Sequence, residues 1–138
     1  MRLIAMILGL LLVAAAPLPV NYRFETIRVV DGDTIRGIVS IWPNLKVNIA
    51  VRVLGVDTPE MRGKCKAEKR LARKAKAFVK AFVAGQPVYL TNIKLGSFAG
   101  RVVATVKVDG LDIADALVGA GLGRSYFGGH REGWCANE

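Results

Sequence analysis

Hydrophobic and polar positions alternate along much of this chain, and the period of the alternation lengthens over one long stretch near its middle. Tyr22–Val30, Thr34–Ile41 and Leu45–Val56 set β-branched and aromatic residues among polar ones, the pattern of half-buried strands. Trp42-Pro43-Asn44 reads as the turn between the second and third. Beyond Cys65 the period lengthens. Leu71, Ala75, Phe78 and Phe82 recur at spacings of four, three and four, which predicts an amphipathic helix from Cys65 to Ala84 with those four residues as its core stripe. Gly85 stops it. Strand patterning returns in Pro87–Ile93 and Arg101–Val108, followed by a turn at Asp109-Gly110, a short helix near Asp112–Gly119 and Gly-rich coil. The predicted fold class is β-rich α+β: a five-stranded OB-type barrel, with a long helix after the third strand and a short C-terminal helix.

The beginning of the chain does not fit this pattern. Arg2 precedes an almost unbroken apolar run, Leu3 to Val13, and Ala14-Ala15-Ala16 offers small residues for cleavage. Residues 1–19 therefore read as a signal peptide or N-terminal anchor, and residues 20–138 as the domain. About twenty apolar residues are needed to span a bilayer, and the run falls short of that unless it extends to Val20, so a cleaved leader and a periplasmic or secreted protein are the expectation. The leader also accounts for part of the apolar composition.

Net charge narrows the partners. The chain carries +9 over 138 residues, and a small domain so basic favours polyanions, nucleic acid before an anionic membrane surface. Much of the charge lies in the predicted helix and just before it, where Lys64, Lys66, Lys69, Arg70, Arg73, Lys74, Lys76 and Lys80 stand against one acid, Glu68. Any single lysine there is better explained by an ordinary solvated helix face.

Three stretches carry candidate chemistry. Val51 to Glu60 reads as a strand that leaves the core and delivers Arg52, Asp57, Thr58 and Glu60 at its end; Pro59 keeps Thr58 out of helical geometry. Val29-Val30-Asp31-Gly32-Asp33-Thr34-Ile35 is a hairpin whose Asp-Gly turn explains Asp31 and Gly32 but not Asp33. Gly100-Arg101 opens a further strand. If their strands are neighbours, Asp33 and Asp57 can share one hard cation such as Ca2+, with the Thr58 carbonyl as a third oxygen. Glu60 can take a proton from water, and Arg52 and Arg101 can each grip phosphate oxygens with two N–H groups. Each stretch alone has a plainer reading: a charged turn with a surface ion pair, a hairpin, and a strand-edge arginine that keeps the sheet soluble.

Together, DGDT, then RVLGVDTPE, then GR before an apolar strand resemble the staphylococcal (thermonuclease-like) nucleases, in the family's order, over roughly Phe24 to Tyr126. The resemblance implies calcium ligands at Asp33, Asp57 and the main-chain oxygen of Thr58, a general base at Glu60, and phosphate-binding and transition-state arginines at Arg52 and Arg101. It also implies cleavage of DNA and RNA with little sequence preference, leaving 3′-phosphates. Asp31 matches a nearby acidic position. The chain departs from the pattern before Gly100, where Ala99 replaces an aromatic and Ser97 an acid. Tyr126 or Phe127 is the expected aromatic against the terminal nucleotide.

Cys65 and Cys135 are the chain's two cysteines; in an exported chain they suggest a disulfide, and two unrelated thiols are the alternative. With one histidine, His130, they do not make a zinc ligand set. Trp42 and Trp134 read as packing residues, Trp134 as a cover for the disulfide. The expectation is an exported, monomeric, calcium-dependent nuclease. Its rivals are a catalytically weak OB-type module that binds nucleic acid and a membrane-anchored basic protein whose helix lies on anionic lipid.

Overall fold

The computed structural model describes residues 20–135; the leader expected at residues 1–19 lies outside them. The elements run β1 (Tyr22–Asp31), β2 (Thr34–Trp42), β3 (Leu45–Val53), β4 (Gly55–Asp57), α1 (Lys66–Val83), β5 (Val88–Leu95), β6 (Arg101–Val108), β7 (Leu111–Asp112), α2 (Ile113–Gly119) and β8 (Arg124–Tyr126).

Five strands, in the order β3-β2-β1-β5-β6, close into a barrel through a parallel pairing of β3 with β6 that sets Ala50 against Arg101 and Val53 against Ala104. Alternation builds the interior. Ile35 and Val39 on β2, Val51 and Val53 on β3, Leu90 on β5, and Ala104 and Val106 on β6 point inward and are buried. Ile113 and Leu117 of α2 close one end of this core. Arg52, between Val51 and Val53, must face the other way, toward solvent at the barrel mouth.

The structure corrects the sequence reading in three places. The third strand does not run unbroken to Val56: Gly55 adopts φ +90° and kinks the chain into β4. β4 pairs antiparallel with β8, Asp57 opposite Arg124, so the expected Gly-rich coil contains a strand. The buried face of α1 is Glu68, Ala72, Ala75, Val79 and Val83, one step round from the predicted stripe. Of that stripe only Ala75 is fully buried; Leu71, Phe78 and Phe82 are half-buried, and the two phenylalanines stack at 5.7 Å. Small side chains win the inner face because α1 lies tightly on the β1–β2 turn. A Cβ on Gly32 would stand 2.8 Å from that of Ala75.

Helix α1 starts at Cys65, whose sulfur accepts the Glu68 N–H. It ends at Val83, with Ala84 as its cap and Gly85, at φ +67°, directly after. Cys65 is bonded to Cys135. No helix among the described residues is long and apolar enough to cross a membrane.

Candidate active site

The β2–β3 register brings the first two charges together. Thr34 lies opposite Arg52, and the Val53 N–H donates to the Asp33 carbonyl at 2.8 Å. The Arg52 guanidinium then spans two carboxylates, donating to Asp33 Oδ1 at 3.0 Å and Asp57 Oδ1 at 3.2 Å. These carboxylates are only 3% and 4% exposed, so they need partners for every oxygen. The Thr34 hydroxyl donates to Asp33 Oδ1 and the Thr58 N–H to Asp33 Oδ2, each at 3.0 Å. The Trp134 indole N–H donates to Asp57 Oδ2 at 3.2 Å.

Glu60 stands at the edge of this network on a short loop that wraps a buried acid. Glu68, the lone acid of the basic helix, accepts the Lys64 N–H at 2.8 Å and the Glu60 N–H at 3.3 Å. It is the third residue after the helix cap, where an acid commonly turns back to bind free N–H groups. The sequence held that signal. The Glu60 carboxylate accepts from Arg131 at 3.0 Å, and the same Arg131 nitrogen pairs with Asp57 Oδ1.

The neighbouring strand β6 contributes its arginine differently. Arg101 enters at the start of β6, and among the described residues it makes no ion pair. Its Nε is buried without a hydrogen-bond partner, and its guanidinium lies 4.6 Å from the centre of the Phe98 ring. An aromatic thus reaches the arginine from one position before Ala99.

Between these groups is a cleft of about 540 Å³. Asp33, Arg52, Glu60, Arg101, Tyr126 and Phe127 line it, together with Asp31, Ser97, Phe98 and Arg131. Asp57 and Thr58 sit buried behind it, joined through Arg52 and Asp33. Phe127 is 80% exposed, free to meet a ligand, while the Tyr126 hydroxyl donates to the Gly129 carbonyl at 2.9 Å. Ala99 and His130 are exposed and do not line the cleft. Trp42 is 74% exposed and is not a packing residue. Trp134 does more than cover a disulfide: it bonds Asp57 and lies against the Arg124 guanidinium, 3.8 Å from ring centre to cation.

Two groups that line the cleft are displaced from their ordinary proton affinity. Burial pushes the Asp31 carboxyl up, and the neighbouring Glu60 and Asp33 charges push it further, against a smaller pull from Lys76 and the Met61 N–H. For Arg131, burial alone would weaken its hold on the proton, but hydrogen bonds to Glu60 and Asp57 outweigh burial and hold its guanidinium above the usual range.

The donor chemistry at Asp33 and Asp57 fits a hard cation. Two buried carboxylates converge on one guanidinium, and while each Oδ1 already accepts two bonds, the Oδ2 of Asp33 and the Oδ2 of Asp57 each accept one and retain a lone pair. Cys65, Glu68 and Cys135 also converge, but sulfurs joined in a disulfide are not the thiolates a soft metal takes. Arg131 was not among the sequence candidates. It follows a Gly-Gly pair in a segment without periodicity, and its partners lie about seventy residues away, so no local pattern marks it.

Residues 50–134 match the family model described as Staphylococcal nuclease homologue. No curated protein matches the chain.

Proposed function

The chain belongs to the staphylococcal nuclease homologue family, and on that premise we propose that it is an exported, calcium-dependent nuclease. It hydrolyses phosphodiester bonds of DNA and RNA with little sequence preference and leaves 3′-phosphates. The observation that carries this reading is that Arg52, Glu60 and Arg101 line one cleft beside Asp33. Binding alone would require the guanidinium groups but not a half-exposed carboxylate between them.

The arrangement supports a division of roles. Arg52 and Arg101 line the cleft from neighbouring strands, Arg101 offering a fork of N–H donors and Arg52 the donors that Asp33 and Asp57 leave free, to oxygens whose charge grows in the transition state. Glu60 accepts the proton of the attacking water. Leaving a 3′-phosphate means that the bond from phosphorus to the 5′ oxygen breaks. Guanidinium groups do not readily release protons, so that oxygen takes its proton from solvent. Asp33, Asp57 and Thr58 would hold a calcium ion, which when bound supplies charge neutralisation at the phosphate. Phe127 and Tyr126 offer aromatic surface to a base. The Cys65–Cys135 bond supports an oxidising compartment, in line with a cleaved leader, and the basic face of α1 supports a nucleic-acid substrate.

A second reading, a catalytically weak OB-type binding module, is favoured by Ala99 at a position where the family carries an aromatic. The Phe98 ring over Arg101 counts against it. One experiment separates the two: degradation of single-stranded DNA by the full-length protein with Ca2+ or with EDTA, beside Glu60→Gln. The nuclease predicts cleavage that needs Ca2+ and falls on the order of 10²–10⁴-fold in Glu60→Gln with DNA binding retained. DNA binding without cleavage under Ca2+, Mg2+ or Mn2+ would establish the module.

A further inference from the structure

The C-terminal segment does more than complete the fold. Three residues of the 131–135 segment reach the cleft and the start of α1: Arg131 on Glu60 and Asp57, Trp134 on Asp57, and Cys135 on Cys65. The segment is held for this purpose at several points. Gly128 and Gly129 adopt φ of +114° and +92°, which reverses the chain after β8. Arg124 donates to the Gly133 carbonyl at 3.0 Å and lies over the Trp134 ring. The disulfide then fixes the segment to the start of α1, directly below the loop that carries Glu60.

We propose that Arg131 is a third phosphate-binding arginine of the cleft, assembled there by the Cys65–Cys135 bond. The proposal rests on the nuclease reading of the same cleft. One Arg131 nitrogen is committed to Glu60 and Asp57. Its other two nitrogens make no hydrogen bond within the described residues, and the side chain lines the cleft and is 40% exposed. A guanidinium carries five N–H donors, and a phosphate takes them in pairs. Arg52 has already spent two nitrogens on the buried carboxylates. Arg131 therefore supplies free donor capacity beside Glu60 and Asp57. Without it, an incoming phosphate would meet Glu60 and Asp31 with little cationic cover on that side. The segment also brings its cation from outside the barrel, so its presence depends on the disulfide and not on barrel closure.

The test is DNA binding by the full-length protein, read as fluorescence anisotropy of a labelled single strand in Ca2+, in a Glu60→Gln background so that binding is separated from cleavage. Arg131→Ala should weaken binding roughly five- to fiftyfold and lower the salt slope by about one; Arg131→Lys should recover part of the affinity. Reduction of the disulfide should cause a similar loss, and Arg131→Ala should add little once the disulfide is open. Unchanged affinity and salt slope in Arg131→Ala would overturn the proposal. So would tighter Ca2+ binding together with faster cleavage when Arg131→Ala is made in the Glu60 protein, because that would identify Arg131 as a plug. If wild-type protein binds DNA but does not cleave it, the nuclease reading fails while the binding comparison still decides the role of Arg131. If it binds no DNA, both fail.

Discussion

Arg52 and Arg101 line one cleft from neighbouring strands and are held by opposite means. Arg52 is largely buried and spans two carboxylates that have little contact with water. Arg101 has no carboxylate within reach; an aromatic ring and the rim of the barrel hold it. One arginine is therefore part of the protein's own charge balance, and the other is a cation kept free for something outside. Two arginines with the same proposed task should respond differently to loss. That contrast is a sharper guide to their roles than their shared position in the cleft.

The widest separation should come from replacing each with methionine. Arg52→Met leaves buried Asp33 without a cation and Asp57 with Arg131 alone, and should lower stability by about 3–5 kcal/mol, seen as a lower urea midpoint, with cleavage lost as well. Arg101→Met should leave the midpoint near wild type and reduce turnover on the order of 10²–10³-fold. Equal destabilisation by both would collapse the contrast. A smaller effect is expected at Phe98. Phe98→Leu keeps an apolar side chain but removes the ring's attraction for the cation, worth about 0.5–1 kcal/mol at an exposed site. Cleavage should fall roughly two- to fivefold, with recovery in Phe98→Tyr; no recovery would mean that the ring does not act through Arg101.

The finest distinction concerns charge among the cleft's carboxylates. The folded protein binds the Asp31 proton more tightly than the unfolded chain does, because burial and then Glu60 and Asp33 raise its affinity above the ordinary value of 3.8. Stability from this group is therefore present at low pH and is lost as pH rises through the raised value. Asp31→Asn should raise the urea midpoint in EDTA at about pH 7 and leave it unchanged near pH 3. A gain that is the same at both values would show that its origin is not electrostatic.

Much of this architecture was legible before any coordinates. Strand alternation located the five barrel strands, and the Asp-Gly turn left Asp33 unexplained at the mouth of β2, where it meets Arg52. What escaped had physical reasons. Gly55 breaks a run of apolar residues through a backbone angle that hydrophobic patterning does not record. The core stripe of α1 was misread because large apolar residues outrank alanine in a periodicity argument, whereas the tight seat on Gly32 rewards the smaller side chain. β8 and Arg131 lie in a glycine-rich segment where contacts are set by pairing with distant β4 and by a covalent bond. Such information does not exist at the level of local spacing.

The closing pair of the barrel, β3 with β6, has a consequence for timing. Arg52 and Arg101 are brought together only when that seam forms, and Asp57 gains its indole partner from Trp134, near the end of the described residues. A nascent polypeptide that has completed only the first hairpin holds Asp31 and Asp33 but neither Arg52 nor Arg101, so the cleft's first carboxylates are made before the cations that share it.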